Sequence, residues 1–316
     1  MNDMPLQTSW VDTVAYGESP DAAAVCDHLR AVHRDHAGFT EGCAGQCRDT
    51  QGRTSYEWLA EAVSLDQRHV LDLACGSGAL LSLLSARMPE QTQLTGVDMS
   101  PDELSLARAR LPKNRVDLIQ GQAQHLDHLH NGSVDVVLCH WALTLMDPVA
   151  PVLAEIARVL KPGGRFAAIV DGPMNSAPGY EAIHDLIYAH VQAILPAYGQ
   201  IELGDPRVRN AEDLLALARV AFPGASIRVD SGVVRLEGPA NVVAREAAGF
   251  FYAGFTLVDD KREAMLVELA TLLSKNSDAG VVTFAMPINR LVVDLLAPSV
   301  AERALNSTTI GATSYF

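Results

Sequence analysis

The chain has 316 residues, 48% of them hydrophobic, so it is long enough to bury a substantial core and is predicted to be globular. Its 38 acidic residues exceed the 24 Lys and Arg, and the resulting formal charge of -14 disfavours nucleic acid as a partner. Because no apolar run approaches the roughly 18 residues that span a bilayer, and the first ten residues lack signal-peptide features, we expect no membrane partner and a cytoplasmic location.

The five cysteines give no indication of a disulfide framework or a metal centre. They have no C-x-x-C spacing, and the pair Cys43 and Cys47 has no histidine at ligand spacing. We therefore interpret them as reduced thiols and predict no metal site.

The first 60 residues are predicted to form a helical lid. Apolar positions recur at helical spacing over residues 20–37, and the start of a second helix at 54–64 resembles a capping box. The glycine-rich stretch 38–52 between them is predicted to be a mobile connection.

From residue 69 onward, strands and helices alternate, which predicts an α/β fold with a Rossmann-like, doubly wound and mainly parallel sheet. Seven strands are predicted, at residues 69–73, 93–97, 116–119, 134–139, 165–170, 225–236 and 281–294. Helices are predicted at 80–87, from 101, and at 149–160, 178–195, 211–220, 240–253 and 260–275. We expect one domain at 61–297 with helical cap insertions at about 173–220 and 240–277, followed by a loosely held tail at 298–316.

The most informative segment is the first predicted strand, which runs into a turn with two glycines, Gly76 and Gly78, and then into an apolar helix. This arrangement is typical of nucleotide binding, with Asp98 at the end of the next strand as the ribose-binding acid. A dinucleotide site would need a third glycine, which is missing. Asp72 would also oppose a pyrophosphate, but it suits the ammonium and sulfonium of S-adenosylmethionine.

The chain resembles the class I methyltransferases, which use S-adenosylmethionine. Five motifs occur in the order and at the spacing of that family, namely D-x-A-C-G-S-G, G-V-D-M-S, G-Q-A, V-D-V-V-L-C-H-W-A-L and L-K-P-G-G, between residues 72 and 164. The resemblance covers about a third of the chain, and the flanking regions match only in outline.

The resemblance implies a set of cofactor-binding residues. The methionine end would contact Asp72, Ala74, Gly76 and Gly78, the ribose would contact Asp98, and the adenine would lie against Met99, Gln122 and Ala123. The family commonly has Asp where Gln122 stands, which makes that contact less secure, and Met99 is alternatively a core residue. In related enzymes the helix before the first motif closes over the cofactor, so Arg53 could pair with the methionine carboxylate and Tyr56 could hydrogen-bond to it. Packing or surface roles for Arg53 and Tyr56 stay open.

Two residues at strand ends are candidate general bases. His140 is a general base, a contact of the cofactor or substrate, or a structural residue, and Asp171 is either a base or a cap of the following turn. Trp141 is interpreted as a cofactor and substrate contact, where its ring face would attract a sulfonium. Tyr16 and Tyr180 are further candidate substrate contacts.

The predicted function is methyl transfer from S-adenosylmethionine to a small-molecule metabolite. The chain lacks the N/D-P-P-Y signature of amino-group methylation on nucleobases and protein amides, which disfavours those substrates. A second hypothesis keeps S-adenosylmethionine as the sole substrate and closes its own amine onto the γ-carbon, giving azetidine-2-carboxylate and methylthioadenosine. A non-catalytic protein that binds S-adenosylmethionine is the third. The oligomeric state is not predicted.

Overall fold

The strands pair into one sheet that organises the rest of the chain. The computed structural model describes residues 6–200, 203–275 and 280–297, and its strands within these ranges are β1 (His69–Leu73), β2 (Gln93–Asp98), β3 (Asp117–Gln120), β4 (Val134–His140), β5 (Leu160–Asp171), β6 (Ser226–Gly238) and β7 (Val282–Asp294). Their order in the sheet is β3-β2-β1-β4-β5-β7-β6. The first five strands in this order pair in parallel, and β7 pairs antiparallel with both β5 and β6. The predicted α/β fold with a mainly parallel seven-stranded sheet is confirmed.

Helices cover the sheet and form most of the N-terminal region. Within the described ranges they are α1 (Ser9–Ala15), α2 (Ala22–Asp35), α3 (Phe39–Ala44), α4 (Ser55–Ala60), α5 (Ala79–Arg87), α6 (Pro101–Arg110), α7 (Ala150–Val159), α8 (Tyr180–Gln192), α9 (Ala211–Ala221), α10 (Ala240–Ala248) and α11 (Asp259–Ser274). The predicted capping box of α4 is present, because Thr54 and Glu57 bond each other's backbone N–H groups. None of the described helices is long and apolar enough to cross a bilayer.

The central strands of the sheet are buried on both faces, as expected for parallel strands linked by helical crossovers. Along β1 and β4, the buried residues Val70 and Val136 belong to one apolar cluster, whereas their neighbours Leu71 and Val137 belong to another. This alternation follows from the two-residue period of a strand. The central strands are therefore fixed by packing on both sides, and their carboxyl ends form a rigid platform.

The chain changes winding direction between β1 and β4, which are neighbours in the sheet although β2 and β3 separate them in sequence. Open α/β sheets bind ligands in the crevice at such a switch point, outside the carboxyl ends of the strands. The predicted cofactor motifs follow β1, β2 and β4, so they meet at this crevice.

Three details differ from the sequence-based expectations. Residues 38–52 are not simply a connection, because they contain α3 and an antiparallel bridge between Arg48 and Arg235. The helix predicted at 240–253 ends at Ala248, and a 3-10 helix at Tyr252–Thr256 follows it. Strand β5 begins at Leu160, five residues before the predicted start; Leu160 pairs with Val134, and the register then shifts before Val136. The predicted tail at 298–316 lies outside the described residues.

Candidate cofactor and acceptor site

A cavity of about 950 Å³ opens at the carboxyl edge of the sheet. Its floor comes from the ends of β1, β2, β4 and β5, and its walls come from α2, α3, α8 and the segment 250–252. The predicted site residues that line it are Tyr56, Asp72, Ala74, Gly76, Asp98, Met99, Gln122, Ala123, His140, Trp141, Asp171 and Tyr180. The fold thus brings together residues that are as far as 124 positions apart in the sequence, from Tyr56 to Tyr180.

The turn after β1 has the backbone that a closely approaching ligand requires. Ala74, Gly76 and Gly78 all have positive φ values, of 57°, 50° and 77°. Gly78 does not line the cavity; it precedes α5 and packs against α6, where an added Cβ would lie 3.1 Å from the Cβ of Ala107. Its role is therefore to let α5 begin close to α6, whereas Gly76 faces the cavity.

Asp98 supports this turn from the end of β2. Its Oδ2 accepts a hydrogen bond from the Gly76 N–H at 2.8 Å, and its Oδ1 accepts one from the Ser100 N–H at 2.8 Å. Burial raises the pKa of Asp98, while the two backbone donors oppose that shift. Each carboxylate oxygen has a further lone pair, so Asp98 can still accept hydrogen bonds from hydroxyl groups in the cavity.

Asp72 is the group in the cavity that most clearly calls for a ligand. Its side chain is 1% exposed, and neither carboxylate oxygen has a hydrogen-bond partner among the described residues. Burial raises the pKa of Asp72 well above its usual range, and the nearby Asp98 raises it further. An uncompensated buried carboxylate is costly, so this position fits a ligand with a cationic end, as S-adenosylmethionine has.

Three residues occupy the predicted adenine region. Ala123 is buried in one of the two apolar clusters that cover the sheet. Met99 is half-buried and packs against the other cluster. Gln122 accepts a hydrogen bond from Gln124 through Oε1 at 3.2 Å. All three line the cavity, so the adenine contacts stay a prediction that the geometry permits.

His140 is held tightly at the end of β4. Its Nε2 is joined to the Ser55 hydroxyl by a 2.9 Å hydrogen bond, and its ring stacks on Tyr56 with a centroid separation of 3.8 Å. Burial lowers the pKa of His140 to about 3, which leaves the ring neutral and weakly basic at neutral pH. These contacts favour a positioning role for His140 over a general base.

Trp141 and Asp171 form a second fixed unit at the neighbouring strand end. The indole Nε1 donates to Asp171 Oδ1 at 2.7 Å, and Asp171 Oδ2 pairs with Arg209 Nε at 3.5 Å. Trp141 adopts φ 61°, a left-handed conformation that a bulky residue rarely adopts, and this turns its ring toward Asp171. Burial raises the pKa of Asp171, although Arg209 and Trp141 oppose the shift.

Besides Gly78, two predicted residues do not reach the cavity. Arg53 pairs with Asp49 and Glu61 and lies over the Trp58 ring, in a separate groove beside β6 and β7. Its acidic neighbours already hold the guanidinium, so pairing of Arg53 with a cofactor carboxylate is not supported. Tyr16 is 84% exposed and lies outside the cavity lining, so its predicted substrate contact is likewise not supported.

Sequence reasoning missed the contacts that join α2 and α3 to α6 and to the turn after β1. Glu41 in α3 accepts a 2.7 Å hydrogen bond from the Ser77 hydroxyl and pairs with Arg110. His33 in α2 contacts Glu103 of α6. These partners are 36 and 70 residues apart, so no local pattern could have identified them.

Residues 71–168 match the model of a family described as a methyltransferase domain. Demethylmenaquinone methyltransferase from Symbiobacterium thermophilum is 35% identical over 117 residues, which are 36% of this chain and 46% of that protein. The enzyme of the same name from Lactococcus lactis is 34% identical over 129 residues, 40% of this chain and 50% of that protein. The chain spans about half the length of these curated relatives.

Similar folds occur among solved structures at low sequence identity. The [4+2]-cyclase SpnF has a TM-score of 0.55 and 19% identity, with 89% of this chain and 98% of that chain covered. Phosphoethanolamine N-methyltransferase 2 from Haemonchus contortus has a TM-score of 0.53 and 15% identity, with 88% and 61% covered. Residues 71–168 are thus a methyltransferase domain of the class I fold, the family that uses S-adenosylmethionine, as the five ordered motifs predict.

Proposed function

We propose that this protein transfers a methyl group from S-adenosylmethionine to a small molecule. The observation that carries the proposal is the extent of the cavity, which continues past the cofactor motifs to Tyr188, Gln192 and Arg209. A volume of about 950 Å³ is at the upper end of the range for small-molecule sites, so it leaves room for an acceptor beside the cofactor.

The residues around the first two strands would hold the cofactor. Asp72 would face its cationic methionine end, the Gly76 backbone would lie against it, and Asp98 would accept hydrogen bonds from its ribose. When bound, S-adenosylmethionine supplies an electrophilic methyl group on a sulfonium. Trp141, fixed by Asp171, would offer an aromatic face to that positive charge.

The catalytic contribution of the chain would be alignment and exclusion of water. His140 is neutral and already bonded to Ser55, and Asp171 is engaged by Trp141 and Arg209, so neither is poised as a strong base. Holding two reactants in line inside a closed site lowers the barrier without proton transfer from the protein. The helices α2 and α3, which wall the cavity, would provide the closure.

The comparisons support a small-molecule acceptor. The curated relatives are named for demethylmenaquinone, a small molecule, and the Haemonchus contortus structure holds phosphomonomethylethanolamine together with S-adenosylhomocysteine. These acceptors differ from each other in polarity, so they support the size class of the acceptor and leave its identity open.

A second candidate is cyclisation of S-adenosylmethionine itself to azetidine-2-carboxylate. In that reaction the amine nitrogen forms a bond to the γ-carbon, the bond from that carbon to sulfur breaks, and methylthioadenosine leaves while the amine loses a proton. Asp72 favours this candidate, because its carboxylate has no hydrogen-bond partner among the described residues and its raised pKa suits it to accept that proton. The similarity to a cyclase fold is consistent with chemistry other than methyl transfer on this scaffold.

Product analysis separates the two candidates. The full chain is incubated with S-adenosylmethionine alone and with a panel of phenols, amines and quinols, and the nucleoside products are identified by mass spectrometry. We expect S-adenosylhomocysteine only in the presence of an acceptor. Methylthioadenosine formed together with azetidine-2-carboxylate, without an acceptor, would instead establish cyclisation, and the absence of both nucleoside products would contradict both candidates. The same product analysis is repeated with Asp72→Asn. Asp66→Asn, at an exposed position, is its matched control.

A further inference from the structure

Glu103, near the start of α6, has an unusual environment for a carboxylate. Its side chain lines the cavity but is only 3% exposed, and its Oε2 has no hydrogen-bond partner among the described residues. No motif accounts for this residue. A buried carboxylate oxygen beside a ligand cavity needs a donor, and the described protein residues do not supply one.

The other oxygen of Glu103 is fully engaged by the N-terminal region. Its Oε1 accepts the Gly38 N–H at 2.8 Å and is joined to His33 Nδ1 at 2.8 Å. His33 Nε2 in turn lies 2.9 Å from the Tyr252 hydroxyl. Glu103 is thus fixed in orientation by His33 and Gly38, and Tyr252 holds His33 in turn, which leaves Oε2 without a partner among the described residues.

The local sequence suggests a different role that the structure does not support. Ser100 and Glu103 match the S-x-x-E capping box, in which the Glu side chain would accept the Ser100 N–H. That N–H instead donates to Asp98 Oδ1, while the Ser100 hydroxyl caps the Glu103 N–H. Because Asp98 already accepts the Ser100 N–H, the Glu103 carboxylate can turn toward the cavity.

Glu103 and Asp98 share one corner of the cavity. The Glu103 Oε2 lies 3.7 Å from where a Cβ on Gly76 would be, and the Gly76 N–H donates to Asp98. Glu103 also raises the pKa of Asp98 through the repulsion between the two carboxylates. A neighbouring pair of hydroxyl groups offers one donor to each carboxylate, whereas an anionic ligand would be repelled.

We propose that Glu103 binds a ribose hydroxyl of the cofactor through Oε2, as a second acceptor beside Asp98. Through Oε1 the same side chain joins that hydroxyl to α2 and to the start of α3, so it couples ribose binding to the position of the lid. This inference rests on the proposed use of S-adenosylmethionine.

The test compares the affinities of the full chain for S-adenosylhomocysteine and for its 2′-deoxy and 3′-deoxy analogues, by titration calorimetry. We expect Glu103→Gln to weaken binding of S-adenosylhomocysteine by about 10-fold or more, since hydrogen bonds to charged groups are strong. Its effect should disappear for the one analogue that lacks the contacted hydroxyl. Glu90→Gln, at an exposed position, should change none of these affinities.

An equal loss for all three ligands would show a structural role and overturn the proposal, as would an unchanged affinity for S-adenosylhomocysteine. If the unmodified chain binds none of the three ligands, the proposed function and this inference fail together. If it binds them and Glu103→Gln shows no dependence on a single hydroxyl, only this inference fails. Glu103→Asp, which keeps the charge but withdraws the carboxylate, should show the same hydroxyl dependence if the Gln variant does not fold.

Hydrogen exchange gives a second readout that is independent of affinity. At saturating S-adenosylhomocysteine, residues 33–44 should gain protection in the unmodified chain and gain less in Glu103→Gln. Equal protection in both would overturn the coupling to the lid.

Discussion

Replacing Asp72 with Asn should stabilise the free protein and weaken its binding of S-adenosylmethionine. The two effects have one cause, which is a buried carboxylate whose oxygens find no hydrogen-bond partner in the part of the chain that the structure describes. An amide of the same shape removes the buried charge from the free protein, but it also removes the negative charge that a cationic ligand would meet.

The size of each effect follows from the environment of Asp72. Burying an unsatisfied polar group costs about 1–3 kcal/mol and a charged group costs more, so we expect Asp72→Asn to raise the free energy of unfolding by at least about 1 kcal/mol. For a chain of this size that corresponds to about 2 °C in Tm. Losing a hydrogen bond to a charged group, worth about 1.5–3 kcal/mol, should lower the affinity by about 10- to 150-fold.

The pH dependence has a definite sign. Because burial raises the folded-state pKa of Asp72 above its unfolded value, the ionised carboxylate destabilises the fold. That penalty is absent below the unfolded pKa and is complete above the raised pKa. The stability gain of Asp72→Asn should therefore grow with pH, and the affinity of the unmodified chain for S-adenosylmethionine should rise over the same interval.

Thermal unfolding between pH 5 and 9, with and without S-adenosylhomocysteine, measures stability, and calorimetry measures affinity. Asp66→Asn should leave both unchanged, since Asp66 is exposed. A variant at Asp72 that loses both stability and affinity would refute the reasoning, because it would show that the carboxylate stabilises the free fold.

Three further substitutions test two other residues of the site and one tight turn of the fold. Asp98→Ala should weaken S-adenosylhomocysteine binding by about 1.5–3 kcal/mol in calorimetry, and an unchanged Kd in a folded variant would remove Asp98 from the site. His140→Asn should lower turnover less than 10-fold, since His140 is neutral and bonded to Ser55; a loss of about 10²–10⁴-fold in kcat would restore it as a base. Gly204→Ala should destabilise the fold by at least about 2 kcal/mol in denaturant unfolding, because its φ of 84° is left-handed and a Cβ would overlap the Thr144 carbonyl; wild-type stability would contradict this.

The sheet could be predicted from the sequence because its pattern is local. Strands such as β1 are buried along their whole length and appear as short apolar runs bounded by turn residues. The predicted start of β5 was late because Pro162, Gly163 and Gly164 are typical of a turn. The pairing of Leu160 with Val134, which extends the strand, is a tertiary contact.

The cofactor motifs could be predicted for the same reason, whereas the contacts of α2 and α3 with the rest of the fold could not. Helix α3 lies in a glycine-rich stretch, and its Glu41 is bonded to Ser77 and Arg110 of the domain beneath it. Arg53 has the charge to pair with a cofactor carboxylate, but its acidic neighbours already hold its guanidinium. The partners of Glu41 are distant in sequence. The acidic partners of Arg53 are nearer in sequence, but they are equally compatible with a surface position.

The most direct test of the central claim is titration calorimetry of the full chain with S-adenosylmethionine. The account predicts binding at one site per chain, with an affinity that rises with pH and falls at least about 10-fold in Asp72→Asn. Absence of binding at millimolar S-adenosylmethionine, or an affinity that Asp72→Asn leaves unchanged, would contradict it.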